Sequence, residues 1–190
     1  MKETSVLICG VGGQGILLAS DLLGKVAIEA GLDAKKSEVH GMAQRGGAVV
    51  SIVRFGVKIY SPIIGENEAD FILSFEILET LRQIKFLKKS GVCIVNNYKL
   101  PPFSVSTGID KYPENIPEEI KKHSKEMFLI NGLELAKEIG NSKTVNVILL
   151  GALAKRLDFP KECWIKTIKE HFPPKIIDIN LKAFELGYNS

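Results

Sequence analysis

A glycine-rich stretch, ICGVGGQGILLAS (residues 8–20), stands near the start of the chain and limits what can follow it. The apolar run before it, SVLIC (5–9), reads as a buried parallel strand. After the glycines, residues 16–30 place Ala19, Leu22, Leu23, Val26, Ala27 and Ala30 at helical spacing, and Gly31 is a natural stop. A strand that passes through glycines straight into a helix is the first half of a β-α-β unit.

The rest of the chain keeps that rhythm. DAKKSEV (33–39) predicts a second strand and GAVVSIVRFG (47–56) a third, rich in β-branched residues. VKIYSPII (57–64) is expected to pair with it as a hairpin across Gly56. ADFILSFE (69–76) predicts another buried strand, residues 77–91 an amphipathic helix ending in lysines, and GVCIVNN (91–97) the next strand. Residues 98–117 are broken by prolines and read as loop with one short strand. Then come a short helix (117–124), a strand (126–132) and helices over 133–140, 144–159, 160–172 and 173–188, the last ending at Gly187. The expected fold is α/β and Rossmann-like: a mostly parallel sheet flanked by helices, with a helical C-terminal section, in one domain spanning 1–190.

Bulk properties remove several classes of function. The 190 residues are 45% hydrophobic and 25% charged, an ordinary globular composition. With 25 basic and 22 acidic residues the net charge is +3, too balanced to argue for nucleic acid or an acidic membrane surface. No signal-peptide pattern or membrane-length apolar run occurs. The three cysteines, Cys9, Cys93 and Cys163, are far apart in sequence. They argue for a reducing, cytoplasmic setting and against an iron–sulfur cluster held by this chain alone.

Gly10, Gly12 and Gly15 fit G-x-G-x-x-G, with Gly13 and Gln14 inside the turn. In a dinucleotide fold such glycines make the tight turn, admit pyrophosphate to the backbone and let helix and strand pack closely. Glu38, near the end of the second strand, stands where a ribose-binding acid is expected. The same glycines can also serve only to shape a strand-to-helix corner, and the motif leaves both readings open.

A second stretch, SEVHGMAQRGGAVVS (37–51), is more specific. A dehydrogenase passes from its second strand into a crossover helix, whereas Gly41 and the Gly46–Gly47 pair oppose one here. His40, Gln44 and Arg45 fall on a loop beside the glycine turn, the layout of a functional loop or of a subunit interface. From the residues alone, a stand-alone NAD(P)-binding oxidoreductase and a non-catalytic dimerising module both stay open.

Together GVGGQGILLAS and SEVHGMAQRGGAVVSIVRFG resemble the gamma-type domain of the 2-oxoacid:ferredoxin oxidoreductases, and within that family the small (beta) subunit of the indolepyruvate branch. INLKAFELGY (179–188) is similar to the family's ending, so the resemblance spans nearly the whole chain. It implies one part of a heteromeric enzyme that decarboxylates indolepyruvate or another aryl 2-oxoacid, passes electrons to ferredoxin and releases an aryl-acetyl-CoA. It also implies that thiamine diphosphate with Mg²⁺ and the 4Fe-4S clusters belong to a large partner subunit. Asn96–Asn97 matches half of a thiamine signature, but no GDG occurs, and the pair reads as a turn at a strand end. By the resemblance, His40, Gln44, Arg45, Gly46 and Gly47 help to complete the substrate and coenzyme A region or the subunit interface. Gly10, Gly12, Gly13, Gln14, Gly15 and Glu38 remain cofactor-binding candidates, with no residue assigned a bond-making step. The isolated chain is expected to be inactive and able to form a homodimer.

Overall fold

The computed structural model describes residues 3–40 and 47–190. Six strands form one sheet: β1 (Thr4–Val11), β2 (Asp33–His40), β3 (Ala48–Gly56), β4 (Ala69–Ser74), β5 (Leu87–Asn96) and β6 (Glu126–Ile130), in the order β2-β3-β1-β4-β5-β6. β1, β4, β5 and β6 are mutually parallel, while β3 lies antiparallel to both β1 and β2. Five strands therefore share one direction, and β3 is the exception.

One face of the sheet carries α1 (Ile16–Glu29), α5 (Gly132–Glu138), α6 (Val145–Ala154), α7 (Lys161–His171) and α8 (Pro174–Tyr188). Val6, Ile8, Val53, Phe55, Leu73 and Ile94 meet them there. α6 is buried along its length because it is apolar all round, Asn146 excepted. The other face, with Leu7, Cys9, Ile72, Cys93 and Val95, is covered by α2 (Ile77–Gln83) and α4 (Ile116–His123). Among the described residues no helix is long and apolar enough to cross a membrane.

Four expectations need correction. Residues 57–64 form no strand: both edges of β3 are already bonded, to β1 and β2, so a hairpin partner has nowhere to pair. Residues 57–64 instead run as an irregular segment, with Ile59 buried and the Arg54 guanidinium donating to the carbonyls of Ser61 and Ile63. The helix from Ile77 stops at Gln83, passes through a 3-10 turn (Ile84–Phe86) and becomes β5 at Leu87. Leu87 is buried against the core and Lys88 pairs with Asp70, so the lysines belong to a strand.

Within 98–117 there is a one-turn helix, α3 (Phe103–Ser106), opened by Pro102, where a strand was expected. Gly187 does not end α8. A Cβ there would lie 1.8 Å from the Ile148 carbonyl oxygen, and one on Gly151 would lie 2.2 Å from that of Phe184. The two glycines let α6 and α8 touch backbone to backbone.

Candidate functional site

The carboxyl ends of β1, β4, β5 and β6 form one rim of the sheet, and the glycine turn lies on it. Gly10, next to last in β1, lies in tight quarters: a Cβ would stand 2.6 Å from Gln14 Oε1 and 2.8 Å from Phe75 Cβ. Gly13 and Gly15 adopt φ of +96° and +88°, backbone that other residues rarely take. Conformation and packing are enough to require glycine at positions 10, 13 and 15.

Gln14 faces inward. Its Oε1 accepts from the Val11 amide at 2.7 Å and its Nε2 donates to the Phe75 carbonyl at 3.4 Å. Gln14, one of the cofactor-binding candidates, thus braces the turn. The Gly12 amide donates to the Gly47 carbonyl at 2.9 Å. That bond joins the two motifs and engages an amide that a pyrophosphate would use.

β2 and β3 place the second motif. His40 ends β2 in register with Val49, which pairs with Gly10, while Ala48 pairs with Val11. Gly47 therefore arrives beside the glycine turn, and His40 ends β2 one strand further out. Gln44, Arg45 and Gly46, three of the candidate residues, lie outside the described residues.

Glu38 has a different setting from the one expected. In the dinucleotide fold the strand after the first helix lies next to β1. Here antiparallel β3 takes that place, and Glu38 sits on the sheet edge, ~10 Å from β1 at two strand spacings. Its carboxylate pairs with Lys36 at 2.5 Å, and Lys36 also holds Asp21.

Three further polar residues stand on the rim, and two of them, Glu76 and Asn146, escape a reading by motif. Asn96 donates Nδ2 to the Phe75 carbonyl at 3.2 Å and accepts from the Gly132 amide at 3.1 Å, tying β4, β5 and α5 together. Buried Glu76 accepts from the amides of Glu79 (2.9 Å) and Leu100 (3.1 Å) and from the Tyr112 hydroxyl (2.9 Å). Burial, then the Glu76 carboxylate, pushes the Tyr112 phenol above its usual value, which keeps it a donor. Asn146, also buried, brings Nδ2 to 2.6 Å from where a Gly15 Cβ would be. Glu76 directly follows an apolar strand, and Asn146 is a polar residue in the apolar run VNVILLGALA. Those are the signals by which each is found.

Among the described residues, the cysteines do not fit a cluster, nor the asparagine pair a thiamine diphosphate site. Cys9 and Cys93 lie in the core under α2, while Cys163 packs against the other face. Burial pushes the Cys9 thiol up and that of Cys93 to about 12, against the thiolate that a metal requires. Asn96 is engaged by Phe75 and Gly132, and Asn97 donates to Asn131 Oδ1 at 2.8 Å. The pair therefore closes a strand end.

A glycine turn bonded to Gly47, at the start of an antiparallel strand beside β1, distinguishes this rim from a dinucleotide fold. Residues 5–190 match the family model of pyruvate ferredoxin/flavodoxin oxidoreductase. The chain belongs to the pyruvate ferredoxin/flavodoxin oxidoreductase family. The family's relatives include indolepyruvate oxidoreductase subunit IorB of Thermococcus kodakarensis, 46% identical over 98% of this chain and 95% of that one. The protein of the same name from Archaeoglobus fulgidus is 39% identical over 97% and 94%.

Solved structures share this fold. Pyruvate oxidoreductase subunit PORC of Thermotoga maritima has a TM-score of 0.75 at 24% identity, covering 100% of this chain and 97% of that one. The 2-oxoglutarate:ferredoxin oxidoreductase of Magnetococcus marinus reaches 0.78 at 20% identity. There the whole of this chain corresponds to 31% of a longer polypeptide.

Proposed function

We propose that this chain is the small subunit of an indolepyruvate:ferredoxin oxidoreductase. The assembled enzyme converts an aryl 2-oxoacid and coenzyme A to aryl-acetyl-CoA and CO2, with ferredoxin taking the electrons. The near-full-length likeness to subunits of that name, at 46% identity, carries this reading. Thiamine diphosphate with Mg²⁺ supplies the decarboxylation and 4Fe-4S clusters the electron path, both on the larger partner. The three separated thiols and the engaged asparagines of this chain support that division. On this reading residues 1–190 act as one domain, in the cytoplasm, with no catalytic residue of their own.

The part assigned to this chain is positioning. The glycine turn and Gly47 bring backbone close to the rim. Arg45 there pairs with a carboxylate or phosphate of the substrate or coenzyme A, which its planar fork suits. His40 and Gln44 supply hydrogen bonds at the same place or to the partner. Arg45→Ala in the assembled enzyme tests this: KM for coenzyme A or for the oxoacid rises at least tenfold while assembly is retained. Unchanged kinetic constants would remove Arg45 from the site.

A further inference from the structure

The sheet is covered unevenly. On the face that carries α2 and α4, α2 packs on β1, β4 and β5, and α4 lies against α2 and β6. Beyond them, toward the β2 edge, the connections contain no helix among the described residues. The outward side chains there are Lys35, Ser37 and Val39 on β2 and Val50, Ile52 and Arg54 on β3, paired across the strands as Lys35–Arg54, Ser37–Ile52 and Val39–Val50. Val39 is 61% exposed, and Val50 and Ile52 are only half-buried.

The 57–63 segment extends this surface at its lower end. Arg54 holds the carbonyls of Ser61 and Ile63, and Asp33, the first residue of β2, accepts from the Ile59 amide at 2.9 Å. Ile59 is the buried anchor, while Tyr60 and Ile63 face outward, 87% and 69% exposed. From Val39–Val50 to Arg54 the surface runs ~13 Å along the strands, with Ile52 between its two ends. Large apolar side chains gathered in one place mark an interaction surface, unlike single ones scattered over a protein.

We infer that this half-bare sheet face, Val39, Val50 and Ile52 together with Tyr60 and Ile63, is the surface on which the larger subunit docks. The inference rests on the small-subunit reading above. The rim of the patch selects the occupant. Lys35 lies 3.8 Å from Asp33, and the Lys58 ammonium, 5.9 Å from the Tyr60 ring centre, acts on the same carboxylate. Two cations thus flank one anion. The neighbouring Arg54–Glu3 pair is neutral, so the rim carries one net positive charge, and a second copy would bring two net-positive rims together. A different chain with an apolar patch and an acidic rim meets no such repulsion. In the Magnetococcus marinus enzyme this fold is one part of a longer polypeptide, so the same fold does occur joined to further structure.

The test uses the co-expressed complex, with affinity measured by sedimentation. Tyr60→Asp with Ile63→Asp changes two exposed side chains, and the melting of the free chain checks that its fold is intact. Val39→Asp is the independent second variant. Ile28→Asp, at a 62% exposed site on α1 across the sheet, is the control. The expected result is assembly weakened at least tenfold by the first two variants and unchanged by the control. Wild-type assembly that both variants leave untouched would overturn the docking surface while keeping the subunit assignment. Failure of the wild-type chain to assemble would overturn both. A free chain whose self-association alone is dispersed by these variants would show a second copy on the face, and would also overturn the inference.

Discussion

The Gly12 amide and the Gly47 carbonyl, 35 positions apart in sequence, are joined by a hydrogen bond of 2.9 Å. That bond is possible because β3, next in the chain after β2, runs antiparallel and lands beside β1. The first consequence concerns nucleotide binding. The amide is engaged, Gln14 faces inward, and Glu38 is held by Lys36 on the sheet edge. Isothermal titration of the chain with NAD(H) is expected to show no binding at micromolar concentration. Micromolar affinity abolished by Gly12→Val would contradict this.

Asn96 tests the thiamine-like asparagine pair by stability. Asn96→Ala leaves the buried Gly132 amide without its acceptor, at a cost of about 1–3 kcal/mol. Asn97 is exposed, and Asn97→Ala is expected to stay within about 0.5 kcal/mol. Urea unfolding of the two variants reads the difference, and equal losses would contradict the account.

Gly187→Ala forces a methyl onto the Ile148 carbonyl oxygen between α6 and α8. Overpacking of this kind costs about 1–3 kcal/mol or more, seen as a lowered Tm. Gly24, inside α1, has open space about its Cα, and Gly24→Ala is expected to stabilise by about 0.5–1 kcal/mol. A Gly187→Ala chain that melts like the wild type would refute the backbone contact.

The pH dependence of stability follows from Glu79. Burial raises this carboxyl above its ordinary value of 4.5, although Arg82 pairs with it at 2.5 Å. The folded chain then holds the proton more tightly than the unfolded one. Its contribution is fully present below about pH 4.5 and is lost as pH rises through the higher folded value. Glu79→Gln is expected to flatten the decline of unfolding free energy with pH just above 4.5. Parallel curves for the two chains would show that Glu79 contributes nothing to it.

The sequence made most of the strands and helices legible, because apolar runs such as SVLIC and ADFIL have only the sheet to be buried in. Strand order was less accessible. Nothing local in AVVSIVRFG states that it pairs with two neighbours at once, so a hairpin with 57–64 looked equally good. Gly187 read as a helix stop because its reason for being glycine, the Ile148 carbonyl, comes from another helix. At the rim, the glycine turn and the second motif were legible as motifs. The inward turn of Gln14 and the latches made by Glu76 and Asn96 depend on contacts between distant segments, which spacing does not encode.

The measurement that tests the central claim most directly is ferredoxin reduction driven by indolepyruvate and coenzyme A. It is made with this chain alone, with the thiamine- and cluster-bearing subunit alone, and with the two together. The account predicts turnover only when both are present. Turnover by this chain alone, or turnover by the larger subunit that its addition leaves unchanged, would contradict it.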